Sequence, residues 1–134
     1  MNLRRLSRLA ALCAGVALVV PSVASANEVT KWNEIALNTI STQPPIASAP
    51  NATGVFTAMV QGAVYGAVNA VDRHGRPYLI NRSFPHGSDD AAAATAAFRV
   101  LDTLFPDQDP SLQAAYATSL AAVSRSAAWR RAPG

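Results

Sequence analysis

Cysteine is almost missing from this 134-residue chain: Cys13 is the only one, and it lies in an apolar run near the start. Disulfides, thiolate zinc sites and a cysteine nucleophile are thereby excluded for everything that follows it. Charge is scarce as well, at 14% of residues, and Lys31 is the single lysine among eleven basic residues. Histidine occurs only at His74 and His86, and no charged residue falls between Glu34 and Asp72. The sequence has no GxSxG elbow, no GxxxxGK[ST] phosphate loop and no HExxH pair, so none of those chemistries is announced. Alanine is abundant instead, with 28 residues, and half of the chain is hydrophobic. That composition rules out intrinsic disorder and makes helix the default element, within a length that suits one domain.

The basic balance of +3 is misleading. Arg4, Arg5 and Arg8 precede an apolar run over residues 9–20, and Ala24-Ser25-Ala26 follows shortly after. A cationic start, a short apolar stretch and a small-x-small site read as a secretory signal peptide over residues 1–26, cleaved after Ala26. The run is too short for a stable membrane anchor. Arg4-Arg5 lacks most of a twin-arginine motif, and no lipobox precedes Cys13. The expected location is therefore secreted, outside the cytoplasm. Without those three arginines, eight basic residues balance eight acidic ones, and no basic patch remains to hold nucleic acid. Folding of the remaining 108 residues buries only about two-thirds of the unfolded surface, so the helices must pack well.

Four helices are predicted. The first covers residues 28–40, where Val29, Trp32, Ala36 and Ile40, with Ile35 beside them, form one apolar stripe; Gln43-Pro44-Pro45 ends it. The second covers residues 52–71 with Asn51 as its cap. Thr57, Gln61, Tyr65 and Asn69 trace one thin polar line on an otherwise apolar helix, which predicts a core helix buried on several sides. A membrane span is the rival reading of its length, opposed by Thr57, Gln61 and Asn69 and by its Ala/Gly content. Gly62 and Gly66, one turn apart, predict a closely approaching backbone.

Residues 73–87 read as a loop, broken by Gly75, Pro77, Pro85 and Gly87. The third helix starts at Ser88 as cap, carries Asp89 and Asp90 in its first turn, and stops before Pro106. Two apolar lines, Ala91/Ala94/Phe98/Leu101/Phe105 and Ala93/Ala97/Val100/Leu104, leave Thr95, Arg99 and Asp102 as its exposed stripe. The fourth begins at Asp109-Pro110 and turns Leu112, Tyr116, Leu120 and Val123 inward. Residues 124–134 show no helical period and read as a disordered tail.

Candidate chemistry is thin. Asp72 and His74 are too few for a metal site, and solvated loop histidines explain them as well. Asp89 and Asp90 suit helix capping better than acid–base work. Arg73, Arg76 and Arg82 could grip an anion only if the loop gathered them. Asn51-Ala52-Thr53 and Asn81-Arg82-Ser83 fit the glycosylation pattern, to which little attaches in a chain of bacterial character.

Val29-Thr30-Lys31-Trp32-Asn33, the stretch 58–71 (AMVQGAVYGAVNAV), Pro77-Tyr78, Ser88-Asp89-Asp90-Ala91-Ala92 and Leu104-Phe105-Pro106 follow one another at suggestive spacing. Together they resemble the N-terminal helical part of secreted bacterial vanadium-dependent haloperoxidases, relatives of the type 2 phosphatidic acid phosphatases. The likeness covers residues 29–123. The resemblance implies halide oxidation on bound vanadate, or phosphoester hydrolysis, for a complete protein of that family. The chain departs from the pattern in two ways. Family members often carry His and Asp on the second helix, where Gln61 and Gly66 stand here. The family's Lys-x6-Arg-Pro, Pro-Ser-Gly-His and Ser-Arg-x5-His-x3-Asp motifs are also missing: Arg76-Pro77 is the lone Arg-Pro, and Asn69 occupies the lysine position.

The expectation is thus an exported all-α chain of about four helices, a partial helical bundle lacking the C-terminal catalytic helices. It has no catalytic, cofactor-binding or metal residues of its own, and vanadate is implied only for the full-length family. Residues 27–123 are the helical segment, and the Arg, Ala and Pro text after Val123 reads as a truncated or frameshifted gene product. No nucleic acid and no stable membrane span are expected; self-association through exposed apolar helix faces is the partner mode. The alternative is a small secreted helical binding or interaction module.

Overall fold

Alanine-rich sequence broken by proline gives helices and connectors, and the computed structural model, which describes residues 28–44 and 49–129, contains four α-helices and no strand among the described residues. They are α1 (Glu28–Ser41), α2 (Pro50–Asp72), α3 (Asp89–Leu104) and α4 (Asp109–Trp129), with a 3-10 turn at Pro106–Gln108. The fold class is all-α, as the composition predicts. The signal-peptide reading of residues 1–26, Asn27, residues 45–48 and the last five positions of the tail lie outside the described residues.

The stripe read on α1 is the one it buries: Trp32, Ala36 and Ile40 are sealed, with Val29 and Ile35 packed partly against the core. α2 starts earlier than predicted. Ala49 is its cap residue and Pro50 occupies the first turn, so Asn51 is already inside the helix and caps nothing. Proline explains the shift, since its fixed φ suits the first helical position and its missing N–H is not needed there. At the other end Arg73 adopts φ 59°, the one left-handed residue among those described, and its N–H bonds the Asn69 carbonyl. Its Nη1 also donates to the Arg82 carbonyl at 3.3 Å, tying the turn to the far side of the loop.

α3 follows its sequence signals closely. The Ser88 hydroxyl accepts from the Ala91 amide, and Asp89 and Asp90 stand in the first turn. This helix, not α2, is the centre of the fold, for it packs against α1, α2 and α4 alike. Alanines at 93, 94 and 97 are the reason: methyl side chains let three neighbours come close, while Phe98 and Leu101 fill the space that remains. Thr95 does not belong to an exposed stripe; its hydroxyl contacts the Tyr116 hydroxyl at 3.0 Å. Trp32, Phe98 and Tyr116 bind α1, α3 and α4 together. The Trp32 ring meets each of the other two edge-on at 6.4 Å, and Phe98 stacks on Tyr116 at 4.5 Å. Such pairs add about 0.5–1.5 kcal/mol each beyond burial.

α4 enters through the 3-10 turn, so Asp109 is already helical instead of acting as an extended cap. The helix runs to Trp129, six residues past Val123, which corrects the reading of a disordered tail from Ser124. Residues 124–129 lack an apolar stripe, but alanine and serine hold helical backbone without one, and the Ser126 hydroxyl bonds the Val123 carbonyl. Ser119, where leucine was expected next door, takes the buried inward position.

The reading of α2 as a helix buried on several sides is also corrected. Only 28% of its most apolar 18-residue window is buried, and Val55 and Met59 stand 60% and 47% exposed. No backbone approaches the two glycines. A Cβ at Gly62 would meet open space, and one at Gly66 would touch only the Ile80 side chain. By length and composition alone, Asn51–Asp72 could cross a membrane.

Candidate functional site

The polar line of α2 bonds to neighbouring segments, from buried Asn69 and half-buried Gln61 to Tyr65, which stays 45% exposed. Gln61 Nε2 donates to Asn33 Oδ1 at 2.6 Å, joining α2 to α1. One turn on, the Tyr65 hydroxyl donates to the Arg76 carbonyl at 2.9 Å. Asn69 Oδ1 accepts from the Gly75 amide at 2.6 Å. Gly75 is required there, because a Cβ would collide with the Tyr65 hydroxyl and sit 3.0 Å from Asn69 Oδ1. Side chains four residues apart on one helix thus hold α1 and the start of the loop in place.

Beside this seam lies a cavity of about 510 Å³. Val29, Val64 and Val68 make its apolar wall, and Gln61, Asn69, Asp72 and His74 make its polar edge. Asn69 is almost fully buried, and its Nδ2 has no partner among the described residues. Asp72 ends α2, accepts from the His74 backbone N–H at 3.2 Å, and faces His74 Nδ1 at 3.2 Å. The His74 backbone N–H holds the Asp72 carboxyl below the ordinary value of 3.8; burial opposes it, and the imidazole adds a smaller lowering. His74 itself is solvent-facing, with a side chain 87% exposed. A second hollow of about 500 Å³ lies between α2 and α3 under Ile80 and Phe84, and its lining is almost wholly apolar.

The residues singled out from sequence do not converge. Arg73, Arg76 and Arg82 are all exposed and none lines the cavity. Asp89 and Asp90 remain solvent-facing in the first turn of α3. Among the described residues no three His, Asp or Glu side chains stand where they could share a metal ion. Asp72 and His74 do meet, as a local carboxylate–imidazole contact.

Two clusters escaped sequence reading, one joining segments 88 residues apart and one closed by a single turn. Lys31 Nζ donates to the Ser119 hydroxyl at 2.8 Å and Trp32 Nε1 donates to the same oxygen at 3.1 Å, while Glu28 Oε1 lies 3.4 Å from Lys31. A lysine beside a serine is the geometry of an activated nucleophile. Ser119, however, is 0% exposed and its oxygen is already occupied by two donors, so the cluster is a staple between α1 and α4. The second cluster is Asp102 and Asp109, brought together by the Pro106–Gln108 turn. A carboxyl–carboxyl hydrogen bond to Asp109, then desolvation and the like charge, push the Asp102 pKa up.

The two shifted aspartates predict opposite pH behaviour. Asp72, lowered in the folded state, adds stability above 3.8 that is lost as pH falls through its folded value. Asp102, raised in the folded state, adds stability below 3.8 that is lost as pH rises through its folded value. In urea titrations, Asp72→Asn is expected to lose stability relative to the parent at pH 6 and to converge with it towards pH 2. Asp102→Asn is expected to gain relative to the parent as pH rises from 3 to 6. Parallel curves at all pH values would contradict both assignments.

Comparison of the chain with protein-family models, with curated proteins and with solved structures returns no match.

Proposed function

We propose that the chain is an exported helical scaffold unit that works by packing against further helical protein, in the manner of the N-terminal helices of haloperoxidase- and acid-phosphatase-like bundles. It performs neither halide oxidation nor phosphoester hydrolysis on its own. The observation that carries this reading is the outward face of α2. Val55, Ala58 and Met59 stand exposed there, and Met59 borders a shallow groove with Val100 and Leu104 of α3. The loop covers only the later half of that face, where Ile80 lies on Gly66. Contiguous apolar surface of this kind seeks a protein partner, a second copy included. The dispersal of Arg73, Arg76 and Arg82 supports the absence of oxyanion chemistry, since vanadate and phosphate both need several converging cations.

The test combines association with activity. The full chain is expected to self-associate and to bind a hydrophobic dye, whereas the Val55→Glu/Met59→Lys variant sediments as a monomer with unchanged far-UV dichroism. A parent that is monomeric, dye-silent and cooperative in melting overturns the scaffold reading. Bromide oxidation with added vanadate overturns the inactive assignment. The second reading, a self-sufficient secreted binding module, is favoured by the cavity beside Asp72, which requires no other protein to complete its polar edge.

A further inference from the structure

We propose that the loop between α2 and α3 docks on the surface of an anionic phospholipid bilayer, with Tyr78 and Leu79 in the interfacial layer and Arg76 and Arg82 on the phosphates. The contact is peripheral and needs no membrane-spanning segment. It does not rest on the scaffold reading, which concerns Val55 and Met59 on α2.

The first observation is where apolar side chains stand bare. All of residues 73–87 are exposed, with Tyr78 at 74%, Leu79 at 68% and Phe84 at 52%. A slack loop would fold such side chains over the molecule, where the hollow under Ile80 and Phe84 has room for them. This loop is not slack. The Gly75 N–H bonds Asn69 Oδ1, and the Tyr65 hydroxyl bonds the Arg76 carbonyl. The Arg73 guanidinium bonds the Arg82 carbonyl, and the Phe84 N–H donates to the Ala70 carbonyl at 2.7 Å. Residues 77–81 are therefore a short tip between two fixed feet, Arg76 and Arg82. Ile80 leans back onto Gly66, while Tyr78 and Leu79 are left in water.

The second observation is charge. Residues 73–88 carry three Arg and two His but no Asp or Glu, and all eight acids lie elsewhere. The acids that flank the loop are already answered, Asp72 by the His74 amide and imidazole, and Asp89 and Asp90 by the amide end of α3. The Arg76 and Arg82 guanidiniums meet no acid among the described residues. Bare cations on either side of a bare tyrosine and leucine suit one partner on both counts. A bilayer offers phosphates at its surface and hydrocarbon just beneath, and tyrosine favours the boundary between them. It also accepts side chains that project, without needing a shaped pocket. Nucleic acid would answer the guanidiniums and leave Leu79 in water; an apolar protein face would do the reverse.

Residues 1–26, with three arginines and an apolar run, could bring the full chain to vesicles by themselves, so the readout must be local to the loop. In a Cys13→Ser chain, a nitrobenzoxadiazole dye is attached at Asn81→Cys in the tip, and separately at Leu37→Cys on α1. Vesicles of phosphatidylcholine and phosphatidylglycerol in equal parts are titrated in at about 0.1 M NaCl. The dye at position 81 is expected to shift to the blue and saturate, and the dye at position 37 to stay silent. Pure phosphatidylcholine should be at least about twentyfold weaker. Arg76→Gln/Arg82→Gln should weaken the titration about twenty-five-fold, about fivefold per arginine. Tyr78→Ser/Leu79→Ser should weaken it about tenfold. Both pairs change only exposed positions, and far-UV dichroism confirms that each variant is folded. Val55→Glu/Met59→Lys, which leaves the net charge unchanged, should keep the shift, so that failure of the scaffold reading and failure of this one are told apart. A silent dye at position 81, equal titrations with the two kinds of vesicle, or an unchanged shift in both loop variants overturns the proposal. So does loss of the shift in Val55→Glu/Met59→Lys, or a shift with a single-stranded oligonucleotide but not with vesicles.

Discussion

Replacing Trp32 by alanine is expected to lower the unfolding free energy by about 3–5 kcal/mol. Small domains have only about 5–15 kcal/mol in total, so the variant should be largely unfolded at modest urea concentration. The size of the effect comes from three losses at one position. A fully buried indole is removed, leaving a cavity that α1, α3 and α4 cannot close together. Two edge-on ring contacts, to Phe98 and Tyr116, go with it. Ser119 then keeps only Lys31 as a donor. Urea denaturation followed by far-UV dichroism measures the change, and Trp32→Phe supplies the intermediate case. A loss below about 1 kcal/mol for the alanine variant would mean that the three helices do not meet at this ring.

Leu101→Ala is expected to cost about 2–5 kcal/mol, through burial without any ring contact or hydrogen bond. Leu101 is sealed on α3, the helix that touches every other, so the void it leaves lies where no single neighbour can move in without leaving a second gap. Leu37→Ala is the internal control. That leucine is 42% exposed on the outer side of α1, and its truncation should change stability by no more than about 0.5 kcal/mol. Similar midpoints for the two alanine variants in the same urea series would contradict the placement of the core.

Much of the helical layout is legible from local signals. The stripe of α1 and the Ser88 start of α3 report physics that acts within a few residues, namely apolar periodicity and capping. Errors arose where a local signal was real but weaker than a neighbouring one. Asn51 suits a cap, yet Pro50 begins the helix before it. Residues 124–129 lack periodicity, yet alanine keeps them helical. The polar line of α2 was visible as a pattern, but which way it faced was not, because direction depends on partners such as Asn33 and Gly75 that sit far away in sequence. For the same reason the cavity and the Lys31–Ser119 contact could not be read from spacing: their members lie up to 88 residues apart.

The bonded polar line of α2 bears on how the fold selects one arrangement. A cylinder covered in Ala, Val and Gly presents much the same surface at many angles of spin, so greasy contact alone would leave α2 able to roll on its neighbours. Gln61, Tyr65 and Asn69 act as teeth in a lock, each finding its mate at one azimuth. Uniqueness of the native arrangement, more than its strength, is what these three side chains confer on the bundle.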